Sequence, residues 1–210
     1  MQLNRLTTSI PEKVYLAFSG GVDSCGALAF LLNGRREITL LYFNHSTDTS
    51  DEHELLVKNI AKKFNLKLFV GSCPPVPEKT NKECYWREQR YKFLNKFKDA
   101  PVITCHHLDD QVENYLFGTF NGGKPRWIYT KKENYIRPFL LFEKRTLEKT
   151  AFYILKKEKI ADDKTNYDPN FCSRNRIRNL VIPEVLKINP GFKKQVAKEF
   201  IKHVEKTKNY

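Results

Sequence analysis

The sequence predicts an α/β protein: a parallel sheet flanked by helices on both faces, followed by a basic helical extension. Three observations predict it. Short apolar runs alternate with helix-like stretches through the first 120 residues. Each run is continuously apolar rather than alternating, as strands buried on both faces require. Beyond Gly122-Gly123 the pattern changes, and the chain becomes basic and helical.

The elements follow in order. Val14 to Phe18 (VYLAF) is a first strand, ended by the turn-forming Ser19-Gly20-Gly21. Ser24 to Leu32 reads as a helix closed by Asn33-Gly34, a C-terminal stop. Ile38 to Phe43 (ITLLYF) is a second strand. Asp51 to Phe64 is a helix with Leu55, Leu56, Ile60 and Phe64 on one face. Leu66 to Val70 is a weaker third strand. After the Pro-rich Cys73 to Pro77, the spacing Thr80-x-x-Glu83 predicts a capping box opening a helix to about Phe97. Val102 to Cys105 is a buried-type strand, and Asp109 to Phe120 a helix. Trp127 to Tyr129 and Tyr135 to Ile136 are expected as short extended pieces. Arg145 to Lys157 is helical, Asp162 to Asn170 a polar loop, and two basic helices follow. The expected division is an α/β domain over residues 1–142 and a basic helical extension over 143–210.

Hydrophobic residues make up 40% of the 210, enough for a core at this length. That content argues against disorder as the main state. The 37 Lys and Arg against 24 Asp and Glu leave a net charge of +13. Residues 171–210 hold ten basic and three acidic residues, so more than half of the net charge lies in the last fifth. Such a concentrated excess points to a polyanion, nucleic acid above all. The five cysteines are odd in number and show no C-x-x-C spacing. Neither a disulfide framework, a zinc site nor an iron–sulfur cluster is expected. A reducing, cytoplasmic setting is expected, with no membrane association. No stretch nears the roughly 20 apolar residues that span a bilayer, and the N-terminus lacks a signal-peptide layout.

Two motifs carry chemistry. Ser19-Gly20-Gly21-Val22-Asp23-Ser24 sits directly between a strand and a helix. Small residues let backbone N–H groups close around an anion, and the helix N-terminus adds its positive dipole end. Ser19 and Ser24 can offer hydroxyls to phosphate. Asp23 would be repelled by phosphate alone, which suggests a bridging Mg²⁺. No Lys-Ser/Thr ending makes this a Walker-type loop. The second motif, Cys105-His106-His107-Leu108-Asp109-Asp110-Gln111-Val112-Glu113, follows the fourth strand and opens a helix. Asp110 and Glu113, one turn apart, can hold a cationic amine between them. His106 and His107 are adjacent, so in a strand they face opposite sides and do not suit one metal ion.

SGGVDS resembles the pyrophosphate-binding loop of the N-type ATP pyrophosphatases, whose fold is Rossmann-like and of the adenine nucleotide alpha hydrolase type. HHLDDQVEN resembles the second signature of one of their branches, the tRNA(Ile)-lysidine synthetase family. Further segments extend that resemblance in order: Arg87-Glu88-Gln89-Arg90-Tyr91, Arg137-Pro138-Phe139-Leu140, Asp163-Lys164-Thr165-Asn166, and Arg174-Asn175-Arg176-Ile177-Arg178 with Val181-Ile182-Pro183 and Ile188-Asn189-Pro190. It runs from about Val14 to Pro190. Departures are His45-Ser46-Thr47-Asp48 where the family usually has His-Gly-Leu-Arg, and Ile160 where Trp is common. Many members also continue into C-terminal domains that grip the tRNA, so the expectation is a short form lacking them.

The resemblance implies an enzyme that ligates free L-lysine to carbon-2 of the wobble cytidine of an isoleucine tRNA, forming lysidine. ATP adenylates the base and leaves as AMP and pyrophosphate. On this reading Ser19, Gly20, Gly21, Val22, Asp23 and Ser24 bind ATP, and Asp23 holds Mg²⁺. Arg87 or Arg90 balances charge at the α-phosphate, and His106 contacts the phosphate or base. Asp110 positions and deprotonates the lysine amine with Glu113 assisting. Arg174, Arg176 and Arg178 meet the tRNA backbone. A homodimer is left open. Two alternatives remain at this stage, a tRNA-thiolating ATP pyrophosphatase and a non-catalytic RNA-binding protein with a relic nucleotide loop.

Overall fold

A computed structural model describes residues 3–47, 49–155, 168–169 and 172–208. Its sheet has six strands: β1 (Lys13–Ala17), β2 (Glu37–Asn44), β3 (Lys67–Ser72), β4 (Val102–Ile103), β5 (Lys131–Lys132) and β6 (Tyr135–Ile136). Their order is β3-β2-β1-β4-β6-β5. Five strands run parallel, and β5 pairs antiparallel with β6 at the edge. The chain leaves β1 toward β2 and β3, then crosses back to place β4 on the other flank of β1. The strand order therefore reverses between β1 and β4, which opens a crevice at their carboxyl ends where ligands of such sheets bind.

Alternation along the strands sorts the core into two faces. Val14, Leu16, Leu40 and Ile103 pack with α1 (Val22–Asn33), α2 (Ser50–Lys63) and α5 (Lys144–Leu155). Tyr15, Leu41, Val102 and Tyr135 pack with α3 (Lys82–Leu94) on the other. Helix α5 lies so close to α1 that a Cβ on Gly26 would sit 2.3 Å from the Leu147 carbonyl oxygen. Leu147 and Ala151 of α5 are buried in the same cluster as the central strands. Helix α4 (Leu108–Gly122) packs Val112 and Leu116 against Ile177, Ile182 and Val196 of the C-terminal helices.

Several expectations shift. Helix α3 is capped by Asn81, whose Oδ1 accepts the Cys84 N–H at 3.0 Å, one residue after Thr80. Asn is as strong an N-cap as Thr or stronger, and the Thr80 hydroxyl instead donates to the Glu78 carbonyl. The helix ends at Leu94. No strand forms over 127–129. The buried Gln111 side chain replaces a neighbouring strand there, donating Nε2–H to the Ile128 carbonyl and accepting the Ile128 N–H through Oε1. The first of the two basic helices is α6 (Ser173–Arg176), which widens into a π turn over Ile177–Val181 before α7 (Ile182–Ile188). Pro183 has no N–H to donate back and would clash with the carbonyl four residues before it, so the backbone loosens just ahead of it. The second is α8 (Phe192–Lys208). The expected 162–170 loop and the Asp163-Lys164-Thr165-Asn166 motif lie outside the described residues, apart from 168 and 169.

Candidate active site

The loop after β1 turns through Gly20, whose φ of +76° is the left-handed conformation glycine adopts without strain. Gly21, extended at φ −73° and ψ 164°, caps α1 without a side-chain hydrogen bond, so the first-turn N–H groups face outward. Ser24 Oγ donates to the Gly21 carbonyl at 2.9 Å, and Ser19 Oγ stands 3.3 Å from Ser24 Oγ and accepts the Gly21 N–H. The two hydroxyls and the open amides shape an anion cradle at the carboxyl end of β1. Val22 and Asp23 begin α1 at its rim.

The loop after β4 sends its two histidines apart, His106 toward Thr104 and His107 toward Asp23. His107 is 5% exposed and turns to the α1 side. Its Nε2 lies 3.5 Å from Asp23 Oδ1, and its Nδ1 lies 3.4 Å from Asp110 Oδ2 and 3.9 Å from Asp109 Oδ2. Burial opposes its charge, but the carboxylates of Asp110, Asp23 and Asp109 outweigh burial and raise its pKa to about 9. It is an imidazolium at neutral pH. Asp110 also accepts the His107 backbone N–H at 2.8 Å, capping α4. Burial would raise the Asp110 pKa, yet the two histidines, that N–H and Arg178 hold it below the usual carboxylate value.

His106 takes the other side. Its Nδ1 is 3.0 Å from Thr104 Oγ1. Burial, with the charges of Arg137 and Arg90, drives its pKa down to about 4 against the pull of Asp110. It is neutral at physiological pH and acts there as a hydrogen-bonding group, not a charge. Arg90 is half-buried on α3, and burial lowers its pKa. Arg87 is exposed on the same helix, its guanidinium 5.2 Å from the Tyr91 ring centroid.

The acid at the next turn of α4 has unexpected company. Glu113 is 3% exposed. Its Oε2 accepts from Arg178 Nε at 3.0 Å and Nη2 at 2.7 Å, and its Oε1 from Arg174 Nη1 at 3.3 Å. Arg174 also reaches Asn114 Oδ1 at 3.2 Å. Arg178 Nη2 is 3.9 Å from Asp110 Oδ1, so a guanidinium already bridges the two acids. Burial nevertheless raises the Glu113 pKa, with Asp110 adding to it and Arg178 and Arg174 resisting. Arg174 and Arg178 keep 46% and 40% of their side chains exposed, and Arg176 faces solvent free of these pairs.

The structure thus brings Asp23, Asp110, Glu113, Arg174 and Arg178 into one connected cluster, with Arg90 and His106 across the crevice. Two residues in the site were not singled out for roles from sequence. His107 was set aside with its neighbour as an unsuitable metal pair, yet it joins the two motifs. Arg137 has no role readable from its motif alone, and it is 7% exposed beside His106. A charged residue at the end of an apolar strand was the signal available for it.

The switch-point crevice, the glycine-turned cradle and the acids opposite it define a nucleotide-binding α/β domain of the kind that grips phosphates by backbone and serine. A family model described as a PP-loop domain matches residues 1–185, and the chain belongs to that ATP-binding family. Curated relatives named tRNA(Ile)-lysidine synthase include one from Thermosipho africanus, 34% identical over 92% of this chain and 48% of its own length. One from Persephonella marina is 32% identical over 86% and 43%, and one from Streptococcus sanguinis 29% over 87% and 44%. The chain spans about half the length of the curated relatives it matches. Among solved structures it is similar in fold to the U34-tRNA thiolase NcsA of Methanococcus maripaludis, with a TM-score of 0.67 at 17% identity over 94% of this chain and 74% of that one. Among the described residues no helix is long and apolar enough to cross a membrane.

Proposed function

We propose that this chain carries the catalytic half-reactions of a tRNA(Ile)-lysidine synthase: ATP-dependent adenylation of a wobble cytidine, then replacement of AMP by lysine. One observation carries the reading. His107 ties Asp23 of the phosphate loop to Asp110 of the second motif, so nucleotide and amine chemistry share one crevice in a chain whose relatives bear that name. The proposed setting is the cytoplasm, in keeping with five cysteines none of which forms a disulfide among the described residues.

In the first step the oxygen on carbon-2 of the base attacks the α-phosphorus, and the α–β anhydride bond breaks to release pyrophosphate into the Ser19–Ser24 cradle. Arg90 is placed to balance charge at the α-phosphate. Asp23 Oδ1 faces His107 Nε2 at 3.5 Å, and its carboxylate, a third exposed at the loop, suits a cation beside the phosphates. Mg²⁺, when bound there, would neutralise the leaving pyrophosphate. In the second step the lysine amine attacks carbon-2, and the carbon–oxygen bond to AMP breaks. A free ε-amine is protonated near pH 7. Asp110, held ionised by His107 and the α4 N-terminus, first holds that ammonium. It accepts one proton from the ammonium, which frees the lone pair that attacks carbon-2, and the nitrogen loses a second proton to solvent once the bond has made it acidic. Glu113 assists by fixing Arg178 against Asp110, and Arg176 is free for the RNA backbone.

The test is nucleoside mass spectrometry of isoleucine tRNA incubated with the protein, ATP, Mg²⁺ and isotopically labelled lysine. A labelled lysidine at the wobble position is expected. Unlabelled RNA under all conditions, or a product carrying sulfur when a sulfur donor is supplied, would overturn the reading.

A further inference from the structure

On three helices an exposed lysine has an acid one turn away: Lys58 with Glu54 in α2, Lys92 with Glu88 in α3, and Lys187 with Glu184 in α7. Helix α8 departs from that pattern. Lys194, Lys198, Lys202 and Lys206 are all exposed and follow one another at four-residue intervals. Residues four apart are neighbours on a helix surface, so the four form one continuous ridge. Of the two acids in α8, Glu199 turns to Tyr115 and Gln195, and Glu205 is exposed. Among the described residues none of the four lysines is in an ion pair with either. Like charges one turn apart repel and weaken a helix. A ridge that repeats this contact at every turn works against the stability of its own helix, so packing does not account for it.

The chemistry and place of the ridge say what it fits. Lys193, just before it, bonds Asp109 in the crevice. The ridge therefore starts beside the site, and the 12 steps from Lys194 to Lys206, at about 1.5 Å of rise each, carry it about 18 Å outward. A protein partner would need apolar surface to bury, and lysine is depleted at such interfaces. Among the described residues α8 exposes no large apolar side chain. Evenly spaced point charges suit phosphates instead, and lysine lacks the guanidinium fork that reads base edges. A convex helix gives a single strand no groove to follow. A duplex carries its phosphates outermost, and paired RNA is bound largely by shape and backbone. Arg174 and Arg178, expected to meet RNA, are instead bonded to Glu113, which leaves that work to other cations. Resting on the function proposed above, we infer that the Lys194–Lys206 ridge seats the phosphate backbone of the RNA stem adjoining the reacting loop, by charge and without reading its sequence.

The experiment measures binding of three RNAs to the whole protein by fluorescence anisotropy over a salt series. They are a stem-loop with a wobble cytidine, the same loop on a stem of different paired sequence, and the loop as a single strand. One variant replaces Lys194, Lys198, Lys202 and Lys206 by Gln. A control replaces Lys58, Lys62, Lys92 and Lys96 by Gln and so removes the same charge from exposed positions elsewhere. The unaltered protein should bind the two stem-loops alike and the single strand about 10-fold or more weakly. The ridge variant should lose about 100-fold in affinity for both stem-loops at 0.1 M salt, its salt slope flatter by about three units. The control should lose no more than about 3-fold, because it shifts net charge alone. The thermal midpoint of the ridge variant should hold or rise, since repulsion within α8 is relieved. The three-RNA comparison on the unaltered protein stands even if a variant fails to fold. Preference for one stem sequence, or a single strand bound as tightly as a stem-loop, overturns the inference. So does equal loss in the two variants, or a ridge variant with unchanged RNA affinity, which would leave the ridge to an acidic protein. Stem-loops held through the ridge but never converted to lysidine overturn the proposed function and leave this seat supported.

Discussion

Two adjacent histidines occupy opposite electrostatic worlds. His107 turns toward α1 into three carboxylates and is raised to about 9, while His106 turns toward α3 into two arginines and is lowered to about 4. Covalent proximity did not set their chemistry; the loop after β4 did, turning His106 toward Thr104 and His107 toward Asp23. The crevice thereby acquires an acidic wall on the α1 side and a cationic wall on the α3 side. A molecule carrying both signs of charge would meet opposite walls at its two ends.

The largest expected way to break this asymmetry is Asp23→Asn. It keeps the shape but removes the charge that faces phosphate and His107, and AMP formation should fall by at least about 1,000-fold, as loss of a metal-holding carboxylate would cause. Ordinary AMP formation at ordinary Mg²⁺ would assign the acidic wall to something other than the nucleotide. Next, Asp110→Asn keeps an oxygen that can cap α4, so folding should survive. Transfer to lysine should drop by about 100- to 10,000-fold while adenylated RNA still accumulates. Single-turnover analysis separates the two steps, and loss of adenylation with transfer retained would reverse the assignment.

A third test disturbs the wall rather than the chemistry. Gly26→Ala drives a methyl into the Leu147 carbonyl, and about 1–3 kcal/mol of stability should be lost, read as a lower urea midpoint at unchanged slope. An unchanged midpoint would mean that α5 does not brace α1. A fourth reads the histidines by NMR in the unliganded protein. His107 should stay protonated at pH 7 and titrate near 9, and His106 should stay neutral until about pH 4. Each has a sign for stability. The raised pKa of His107 gives a contribution complete below its unfolded value of about 6.5 and lost as pH climbs through about 9. The lowered pKa of His106 removes stability as pH falls from about 6.5 toward 4. Two resonances titrating together near 6.5 would erase the asymmetry. The smallest effect belongs to Arg176→Gln, which touches neither wall. RNA binding should weaken modestly, with the salt slope flatter by about one unit and both chemical steps intact. Arg178→Gln should instead damage transfer, because that arginine is bonded to Glu113.

Much of this is legible in the sequence. Apolar runs alternating with helices implied parallel strands, and parallel strands imply that loops after β1 and β4 share one edge. Ser19–Ser24 and the 105–113 segment, each following such a strand, therefore fall at the same edge. What sequence could not supply was which flank of β1 receives β4, and the role of His107 depends on that neighbour. Arg137 was hidden for a similar reason, since its burial is set by β5, β6 and α3 rather than by its own surroundings in the chain. Arg174 and Arg178 read as a basic helix face because pairing partners 60 or more residues away leave no local trace. Gln111 was invisible as a strand substitute, because a side-chain amide mimicking a backbone one has no spacing signature.

Asp109 gathers more than its own turn. One of its oxygens accepts the Lys144 N–H at the start of α5, and the other is bonded by Lys193 near the start of α8. The consequence is one of timing during synthesis. Because Lys193 follows Asp109 by 84 residues, a chain emerging from the ribosome exposes its phosphate loop and both histidines long before that carboxylate meets its counter-charge. The nascent domain can thus acquire a nucleotide cradle early, while the acidic wall reaches its working electrostatics only when α8 docks.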